Sequence, residues 1–359
     1  MSRTHSTATS LWGIDAGGSR TTAIVARPDA ELSVEQSGSI SIGTVGAAAA
    51  TAGLTSVFES MRSELAADQL AFGCVGCSSA PVAMESPYPD VLVKVIESHA
   101  PAGYVLFVND MVPLLYAPPM SAVGVVVSSG TGSCVLGRDG SGRLAKIGGH
   151  EHIVSDEGSA YSLGRAALRA AAGAIDGTGQ ATKLSDLAIE HFGMTIPALG
   201  RWLAENRSAR ALVAGFAPVV LDASADGVAR SIIESNAASL AAAVTVALDR
   251  LDLGARPSIG FSGGVMRGSE FYRTLIVERL VQLSGLRPHT YVLNGADAVL
   301  SMAVRLRDEN RGGSVTFPCP GPDEGLFLRV ADPANPSMGW RGDANGWQGR
   351  RAGRAGGRR

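Results

Sequence analysis

Cysteine is scarce in this chain, with four residues among 359. A disulfide framework, which small secreted domains use in place of a large core, is therefore not expected at this length. Cys74 and Cys77 have the CxxC spacing, which suits a redox or zinc site. However, they end a predicted strand instead of opening a helix, and no second pair exists for zinc. We interpret both as small buried side chains.

The net charge of the chain is also small, and its apolar runs are short. The formal net charge of −2 gives no general attraction to nucleic acid or to an anionic membrane. No apolar run reaches membrane-spanning length with helical character, and the polar segment Met1–Ser10 lacks the apolar centre of a signal peptide. We therefore expect a cytoplasmic protein with no nucleic-acid and no membrane partner. The 359 residues suffice for two domains with separate cores.

Glycine and hydroxyl residues gather where two apolar runs meet, in the stretch Leu11–Val25. The pattern predicts two strands joined by a tight turn at Gly17 and Gly18, which can adopt backbone angles that other residues avoid. Exposed N–H groups and hydroxyls in such a turn can cradle phosphate oxygens, although an ordinary hairpin has the same pattern. The hydroxyl residues are Ser19, Thr21 and Thr22. Asp15, at the strand end, can hold a magnesium ion through water.

A second turn of this kind follows the apolar run Val123–Ser128. It consists of Gly130, Thr131, Gly132 and Ser133. Between the two turns, the predicted strand Tyr104–Asn109 ends at a carboxylate, Asp110. Further on, the strand around Phe261 ends in two glycines, Gly263 and Gly264.

The hydrophobic periodicity predicts one order of elements that begins twice, which argues for two α/β domains with a ligand cleft between them. The predicted strands are 11–16, 21–27, 32–40, 70–77, 104–109, 123–128, 133–138, 143–147, 257–261 and 289–293. The predicted helices are 45–65, 90–99, a short one opened by Asp110, 159–172, 184–191, 196–204, 207–220, 226–251, 269–283 and 296–307.

This ordered set of motifs resembles the sugar-kinase/heat-shock-protein/actin superfamily. Within it, the chain resembles the BadF/BadG/BcrA/BcrD ATPase family, which includes the N-acetylglucosamine kinases, over about residues 11–308. The resemblance implies an α/β fold of two ribonuclease H-like (actin/hexokinase-type) domains, with an ATP cleft between them and helical insertions in the second. We expect domains at 1–119 and 120–310, and a disordered basic tail at 311–359 because Gly, Pro and Arg dominate there.

The resemblance implies ATP and Mg²⁺ as cofactors and assigns them to the turns. Asp15 would hold the metal. The phosphate-binding residues would be Gly17, Gly18, Ser19 and Thr21 in the first turn and Gly130, Thr131, Gly132 and Ser133 in the second. Gly263 and Gly264 match the adenosine motif. Ala16, Ser19 and Arg20 depart mildly from the family's first motif.

The resemblance also implies a catalytic base. Asn109 and Asp110 match the family's Asn-Asp pair after a strand, in which the aspartate accepts the proton of the sugar hydroxyl. A second interpretation of Asp110 is a helix N-cap, because aspartate is common at helix starts. One residue can have both roles.

The substrate residues implied by the resemblance include two glycines, Gly148 and Gly149, together with His150, Asp156 and Ser41. Several positions depart from the family pattern. His150 replaces a tryptophan, Glu151 and Ser155 replace glycines, and Ser41 stands where a sugar-binding asparagine is usual. The sequence His150-Glu151-His152 suggests a metal site, but on a strand its two imidazoles would point to opposite faces and no third ligand is evident.

The sequence therefore predicts ATP-dependent phosphorylation of an amino sugar: N-acetylglucosamine, glucosamine or a related hexose. The partner is a small-molecule sugar, and a homodimer is among the assemblies allowed. Two alternatives stay open. One is an ATPase activator of the 2-hydroxyacyl-CoA dehydratase type, which holds an iron–sulfur cluster with paired cysteines. The other is a sugar- or nucleotide-binding protein with weakened catalysis.

Overall fold

The computed structural model describes residues 9–27, 32–62, 64–65, 70–82, 87–206, 208–309, 325–330 and 340–342. The strands are β1 (Ser10–Ala16), β2 (Arg20–Ala26), β3 (Ser33–Gly38), β4 (Ala71–Cys77), β5 (Gly103–Val108), β6 (Gly124–Ser129), β7 (Ser133–Arg138), β8 (Leu144–Gly148), β9 (Ser258–Ser262), β10 (His289–Val292), β11 (Gly325–Val330) and β12 (Trp340–Gly342). The helices are α1 (Ile42–Val45), α2 (Ala47–Met61), α3 (Asp90–His99), α4 (Met111–Tyr116), α5 (Ala160–Ile175), α6 (Leu184–Phe192), α7 (Ile196–Glu205), α8 (Ala209–Gly215), α9 (Ala217–Asp222), α10 (Gly227–Arg250), α11 (Gly264–Gly268), α12 (Glu270–Ser284) and α13 (Gly295–Glu309).

The chain forms two compact units. Unit 1 comprises Met1–Ser121 and Asn294–Arg359, and its described strands form one sheet in the order β12-β11-β5-β4-β1-β2-β3. The strands β1, β4 and β5 are parallel neighbours, whereas β2 and β3 add as an antiparallel meander. Apolar side chains of β1, β4, β5, α2 and α3 make the core, in which Trp12 meets Phe58 edge-on at 5.5 Å between ring centroids.

Unit 2 comprises Ala122–Leu293, and its described strands have the order β10-β9-β6-β7-β8. Here β6 pairs in parallel with β9 and antiparallel with β7. The long helix α10 contributes Ile233, Leu240 and Val244 to the core. Each unit thus has three antiparallel strands followed by parallel ones, which confirms the mixed α/β class and the repeated order of elements.

One helix in the described part of the chain, α10, is long and apolar enough to span a membrane by length and composition. That test is weak for a single helix, since core helices pass it too. The buried residues of α10 belong to the unit 2 core, so its apolar character has an explanation within the fold.

Among the helices, the structure differs from the predicted elements at three places. The predicted helix 207–220 is two helices, α8 and α9, that meet at Phe216. Pro218 lies in the first turn of α9 and cannot donate to the preceding turn, which explains the break. The short helices α1 and α11 lie in segments for which no element was predicted, except that Val45 was assigned to the following helix.

The C-terminal part of the chain corrects the predicted domain limits. Helix α13 belongs to unit 1, although the sequence analysis placed residues 294–310 in the second domain. A Cβ atom on Gly13 would lie 2.6 Å from Val299, so α13 packs directly on β1. The predicted disordered tail, 311–359, contains two strands: β11 pairs with β5 and β12 pairs with β11. Buried Leu326 and Leu328 stabilise this addition. The rest of the tail lies outside the described residues.

Candidate active site

The parallel strands of unit 1 bring three polar segments to one edge of the sheet. Asp15 is paired with Gly76, which is in turn paired with Val108, so β1, β4 and β5 end at the same level. Asp15, the residues after β4 and the Asn109–Asp110 pair therefore lie at neighbouring strand ends. Separate sequence motifs become one cluster because parallel strands share their carboxyl edge.

Asp110 has an electrostatic environment unusual for an aspartate. Burial, and secondarily the nearby Asp15 carboxylate, raise the pKa of Asp110 from 3.8 to about 7. The Asp110 side chain makes no capping hydrogen bond to α4. Instead, Asn109 caps the helix: its Oδ1 accepts from the Met111 N–H at 3.1 Å, and its Nδ2 donates to the Ala80 carbonyl at 2.7 Å. The N-cap interpretation thus applies to Asn109, whose amide is committed to backbone groups.

Asp15 lies against the start of α13. A Cβ atom added at Gly295 would be 2.0 Å from Oδ2 and 2.8 Å from Oδ1 of Asp15, so only glycine leaves room for the carboxylate. Asn294 caps this helix through the Ala296 N–H at 3.0 Å. The half-buried Asp15 carboxylate beside a second acidic group fits a divalent cation, because a cation offsets the repulsion between the two.

The first turn is a hairpin between β1 and β2, as predicted. Gly17 donates its N–H to the Arg20 carbonyl at 3.1 Å, which closes the turn. Neither Gly17 nor Gly18 has a positive φ, so the turn does not need the left-handed angles proposed for these glycines. Ser19 is exposed, but Thr21 is fully buried and its hydroxyl has no hydrogen-bond partner.

Ser41 lies in a small serine network beside this turn. Its Oγ is 3.4 Å from Ser79 Oγ, which also accepts from the Ile42 N–H at 2.8 Å. Ser39 donates to the Gly17 carbonyl at 3.3 Å. Ser41 is only 6% exposed. The structure therefore places Ser41 near the first turn, while Ser79, which orients it, was missed because it follows β4 without a recognisable motif.

The second turn joins β6 to β7 in unit 2 and is fixed to the start of α5. Gly130 donates to the Gly132 carbonyl at 2.9 Å, and the Gly130 carbonyl accepts from the Ala160 N–H at 2.8 Å. Ser133 points inward: its Oγ donates to the Glu157 carbonyl at 2.7 Å. The first N–H groups of α5 are thus used on the carbonyls of the turn, and the helix N-terminus contributes its dipole, which favours a phosphate nearby.

Asp156 lies directly under this turn. Its Oδ1 accepts from the Ser133 N–H at 3.2 Å and its Oδ2 accepts from Arg210 at 2.8 Å. The side chain is 3% exposed, and this burial raises the pKa of Asp156, against the opposing effects of Ser133 and Arg210. The backbone of Asp156 has a φ of 75°, in the left-handed region. Such strain in a buried carboxylate is frequent at functional sites.

The segment Gly148–Glu151 forms an open loop at the end of β8. Gly148 and Gly149 have φ values of 75° and 70°, which explains both glycines. Glu151 has a φ of 68° although it is not glycine. His150 is exposed and donates its N–H to Ser155 Oγ at 3.0 Å. Among the described residues, no group of three or more His, Cys, Asp and Glu side chains could hold a metal.

Gly263 and Gly264 lie beside the second turn but differ in environment. Gly263 has a φ of 93°, and a Cβ atom there would be 2.3 Å from the Ser129 carbonyl oxygen, so packing alone requires this glycine. Gly264 begins α11, and nothing lies within 4 Å of the position of its Cβ. Open space over Gly264 leaves room for a ligand against the backbone.

Arg210 is the main residue that the sequence analysis missed. It joins Asp156 to Glu151 across 54 and 59 residues of sequence. It lies in a helical insertion of the second unit, far from any motif. The sequence signal nearest to this contact was the replacement of a family glycine by Glu151. The left-handed φ of Glu151 is visible in the structure alone.

The cysteines do not support a cluster-binding site. Cys74 and Cys77 are buried in β4, and burial raises the pKa of Cys77 to about 12 and also raises that of Cys74. Cys134 is partly buried in β7, and Cys319 lies outside the described residues. In the described part of the chain, the thiols are thus poorly suited to hold iron, and the interpretation of Cys74 and Cys77 as buried side chains is confirmed.

The chain matches a known protein family over most of its length. The model of the BadF/BadG/BcrA/BcrD ATPase family matches residues 12–296. The chain belongs to this family. It is also 35% identical over 111 residues to an N-acetylmuramic acid/N-acetylglucosamine kinase from Clostridium acetobutylicum. That match covers 31% of this chain and 35% of the relative, about a third of each.

Solved structures show the same fold at low identity. A candidate N-acetylglucosamine kinase from Chromobacterium violaceum is 21% identical, with a TM-score of 0.65 over 82% of this chain and 98% of that one. A hexokinase from Schistosoma mansoni, complexed with glucose, is 11% identical, with a TM-score of 0.50 over 82% of this chain and 86% of that one. The two-domain actin/hexokinase-type fold implied by the family resemblance is therefore confirmed.

Proposed function

We propose that this family member transfers the γ-phosphoryl group of ATP to a hydroxyl of an amino sugar: N-acetylglucosamine, glucosamine or a related hexose. The observation that carries the proposal is Asp110, a strand-end carboxylate whose pKa is raised to about 7. A general base works best when its pKa is near the working pH. The kinase names of the relative and of the solved structures support a sugar as acceptor.

Asp110 would be the base. Its carboxylate accepts the proton of the acceptor hydroxyl as the new oxygen–phosphorus bond forms and the bond from the γ-phosphorus to ADP breaks. Asn109 positions Asp110 through its bonds to Ala80 and Met111. The side chain of Asp110 makes no capping hydrogen bond to α4, although the backbone N–H groups of Asp110 and Met111 act against the rise of its pKa.

Each of the two turns carries donors suited to phosphate oxygens of ATP. Ser19 and the N–H groups around Gly18 supply donors in unit 1, and the Gly130–Ser133 turn supplies them in unit 2. Buried Thr21 would support the first turn from inside the unit. Gly264 leaves open backbone for the adenosine part. Asp15 would hold Mg²⁺ through water, and the ion would neutralise phosphate charge when bound.

Each unit, taken by itself, carries residues that the family pattern assigns to the sugar. In unit 1 these are Ser41 and Asp110. In unit 2 they are Gly148, Gly149, His150 and Asp156. Ser41 is shorter than an asparagine and is held by Ser79 at 3.4 Å, and His150 is exposed where the family has tryptophan. We infer that the protein contacts the hydroxyl and N-acetyl groups of the sugar through side chains other than those of the family pattern.

An ADP-release assay with a panel of amino sugars, neutral hexoses and muramic acid derivatives tests this function. We expect sugar-dependent ADP release that excess chelator abolishes. ADP release that is the same with and without every sugar would contradict the kinase proposal. A weakened binding protein, the second candidate, is favoured by the Arg210 bond that occupies Asp156. It predicts sugar binding by calorimetry with no ADP release.

A further inference from the structure

Arg210 holds two carboxylates that differ in exposure. It is the second residue of α8, and its Nη2 donates to Asp156 at 2.8 Å while its Nη1 donates to Glu151 at 2.6 Å. The Asp156 side chain is 3% exposed, whereas that of Glu151 is 62% exposed. The inner pair is thus part of the protein interior, and the outer pair faces solvent.

The guanidinium lies at the second turn. A Cβ atom added at Gly132 would be 2.9 Å from Nη2 of Arg210 and 2.8 Å from Oδ2 of Asp156. Nε of Arg210 is buried and has no hydrogen-bond partner. A partly exposed guanidinium, 20% accessible and next to a turn proposed to bind phosphate, is suited to receive a further oxyanion.

The bond to Glu151 is the replaceable one. Exposed ion pairs contribute little to stability. Glu151 also has a left-handed φ of 68°, which is unfavourable for a residue with a side chain. Exchanging the Glu151 carboxylate for a carboxylate of a ligand keeps the charge around Arg210 balanced and leaves the bond to Asp156 intact.

We propose that Arg210 is a specificity-determining residue that binds a carboxylate on the acceptor sugar, and that Glu151 occupies this position until the substrate displaces it. The inference rests on the proposed sugar kinase function and names the substrate class: an amino sugar with an acidic substituent. A planar guanidinium matches a carboxylate better than a neutral hydroxyl, which Arg210 could bind only at the cost of its ion pair.

Two sugars that differ only in the acidic group test this inference. N-acetylglucosamine is the neutral probe, and N-acetylmuramic acid carries a carboxylate on a lactyl ether of the same ring. We would measure kcat and KM for both sugars and for ATP, together with binding of both sugars by calorimetry on the full chain. The variants are Arg210→Gln, Arg210→Lys and Glu151→Gln. The matched control is Arg201→Gln, at an exposed arginine of α7.

The expected signature is a change in preference between the two sugars. In Arg210→Gln, the preference for the acidic sugar should fall roughly 10- to 100-fold, as for loss of a charge-assisted hydrogen bond. Arg210→Lys should retain part of it, because the charge stays but the fork is lost. In Glu151→Gln, the KM of the acidic sugar should fall a few-fold, while that of the neutral sugar stays the same. Arg201→Gln should match the wild type.

Three results would overturn the inference. An equal loss for both sugars in Arg210→Gln means that Arg210 only positions Asp156. A rise in the KM of ATP alone assigns Arg210 to a phosphate of the nucleotide. Calorimetry that shows equal binding of the two sugars to the wild type removes the carboxylate site. Calorimetry needs no turnover, so charge-selective binding without ADP release would contradict the proposed function and still support this inference.

Discussion

The replacement Asp110→Asn separates catalysis from stability at one position. It keeps the size of the side chain but removes the base, so kcat should fall by a factor on the order of 10²–10⁴. Helix α4 should form as before, because the capping bond to the Met111 N–H comes from Asn109 at 3.1 Å. Substrate binding should survive in part, since an amide still forms hydrogen bonds with a hydroxyl.

The raised pKa gives the stability effect its sign and size. The pKa of Asp110 rises from 3.8 to about 7 on folding, a difference of about three units. At about 1.4 kcal/mol for each unit, charging Asp110 costs the folded state at most about 4 kcal/mol. Between these two pKa values the folded state binds the proton more tightly than the unfolded state does. Stability therefore falls as pH rises through this window, and the full cost is present above pH 7.

Two assays examine these expectations. The wild-type kcat/KM should decline below a pH of about 7 as Asp110 takes up its proton. Urea unfolding at pH 5 and pH 8 should show that Asp110→Asn is the more stable protein at pH 8, by a margin that shrinks at pH 5. A near-wild-type kcat for Asp110→Asn at saturating sugar and ATP would refute the base assignment and direct attention to Asp156 and Glu157. The same difference in unfolding free energy between Asp110→Asn and the wild type at pH 5 and at pH 8 would refute the raised pKa.

Three other predictions concern the metal and the sugar. Asp15→Ala should abolish turnover and weaken binding of Mg-ATP, and full activity in that variant or in excess chelator would contradict a metal role. Gly295→Ala should raise the KM of Mg-ATP tenfold or more, because the new Cβ would lie 2.0 Å from Asp15, whereas Gly200→Ala, with nothing within 4 Å, should leave kinetics unchanged. The double variant His150→Trp, Glu151→Gly should raise N-acetylglucosamine phosphorylation and relieve the left-handed φ at Glu151. An unchanged rate would show that these departures do not determine specificity.

Much of the fold followed from periodicity and turn chemistry. The helix Asp90–His99 and the strand Ser133–Arg138 have the predicted limits. Both hairpins formed at the predicted glycines because apolar runs on each side leave only a tight turn between them. Asp15 and Asp110 were predicted at strand ends, and the parallel pairing that brings these ends to one edge came from the structure.

The sequence could not reveal contacts that depend on distant segments. Strand β11 lies in a stretch dominated by Gly, Pro and Arg, a composition that does not predict a strand. Its place beside β5 comes from burial of Leu326 and Leu328. The bond between Arg210 and Asp156 joins residues 54 positions apart and follows no periodic pattern. That Asn109 and not Asp110 makes the capping bond required the structure, because both residue types cap helices equally well.

Phosphorus NMR of the full chain with ATP, Mg²⁺ and an amino sugar tests the central claim most directly. We predict that the γ-phosphate signal of ATP declines while a sugar phosphate ester signal grows in equal amount, and that Asp110→Asn slows both changes together. Growth of inorganic phosphate alone, with no ester signal for any sugar of the panel, would contradict the claim that this protein is a sugar kinase.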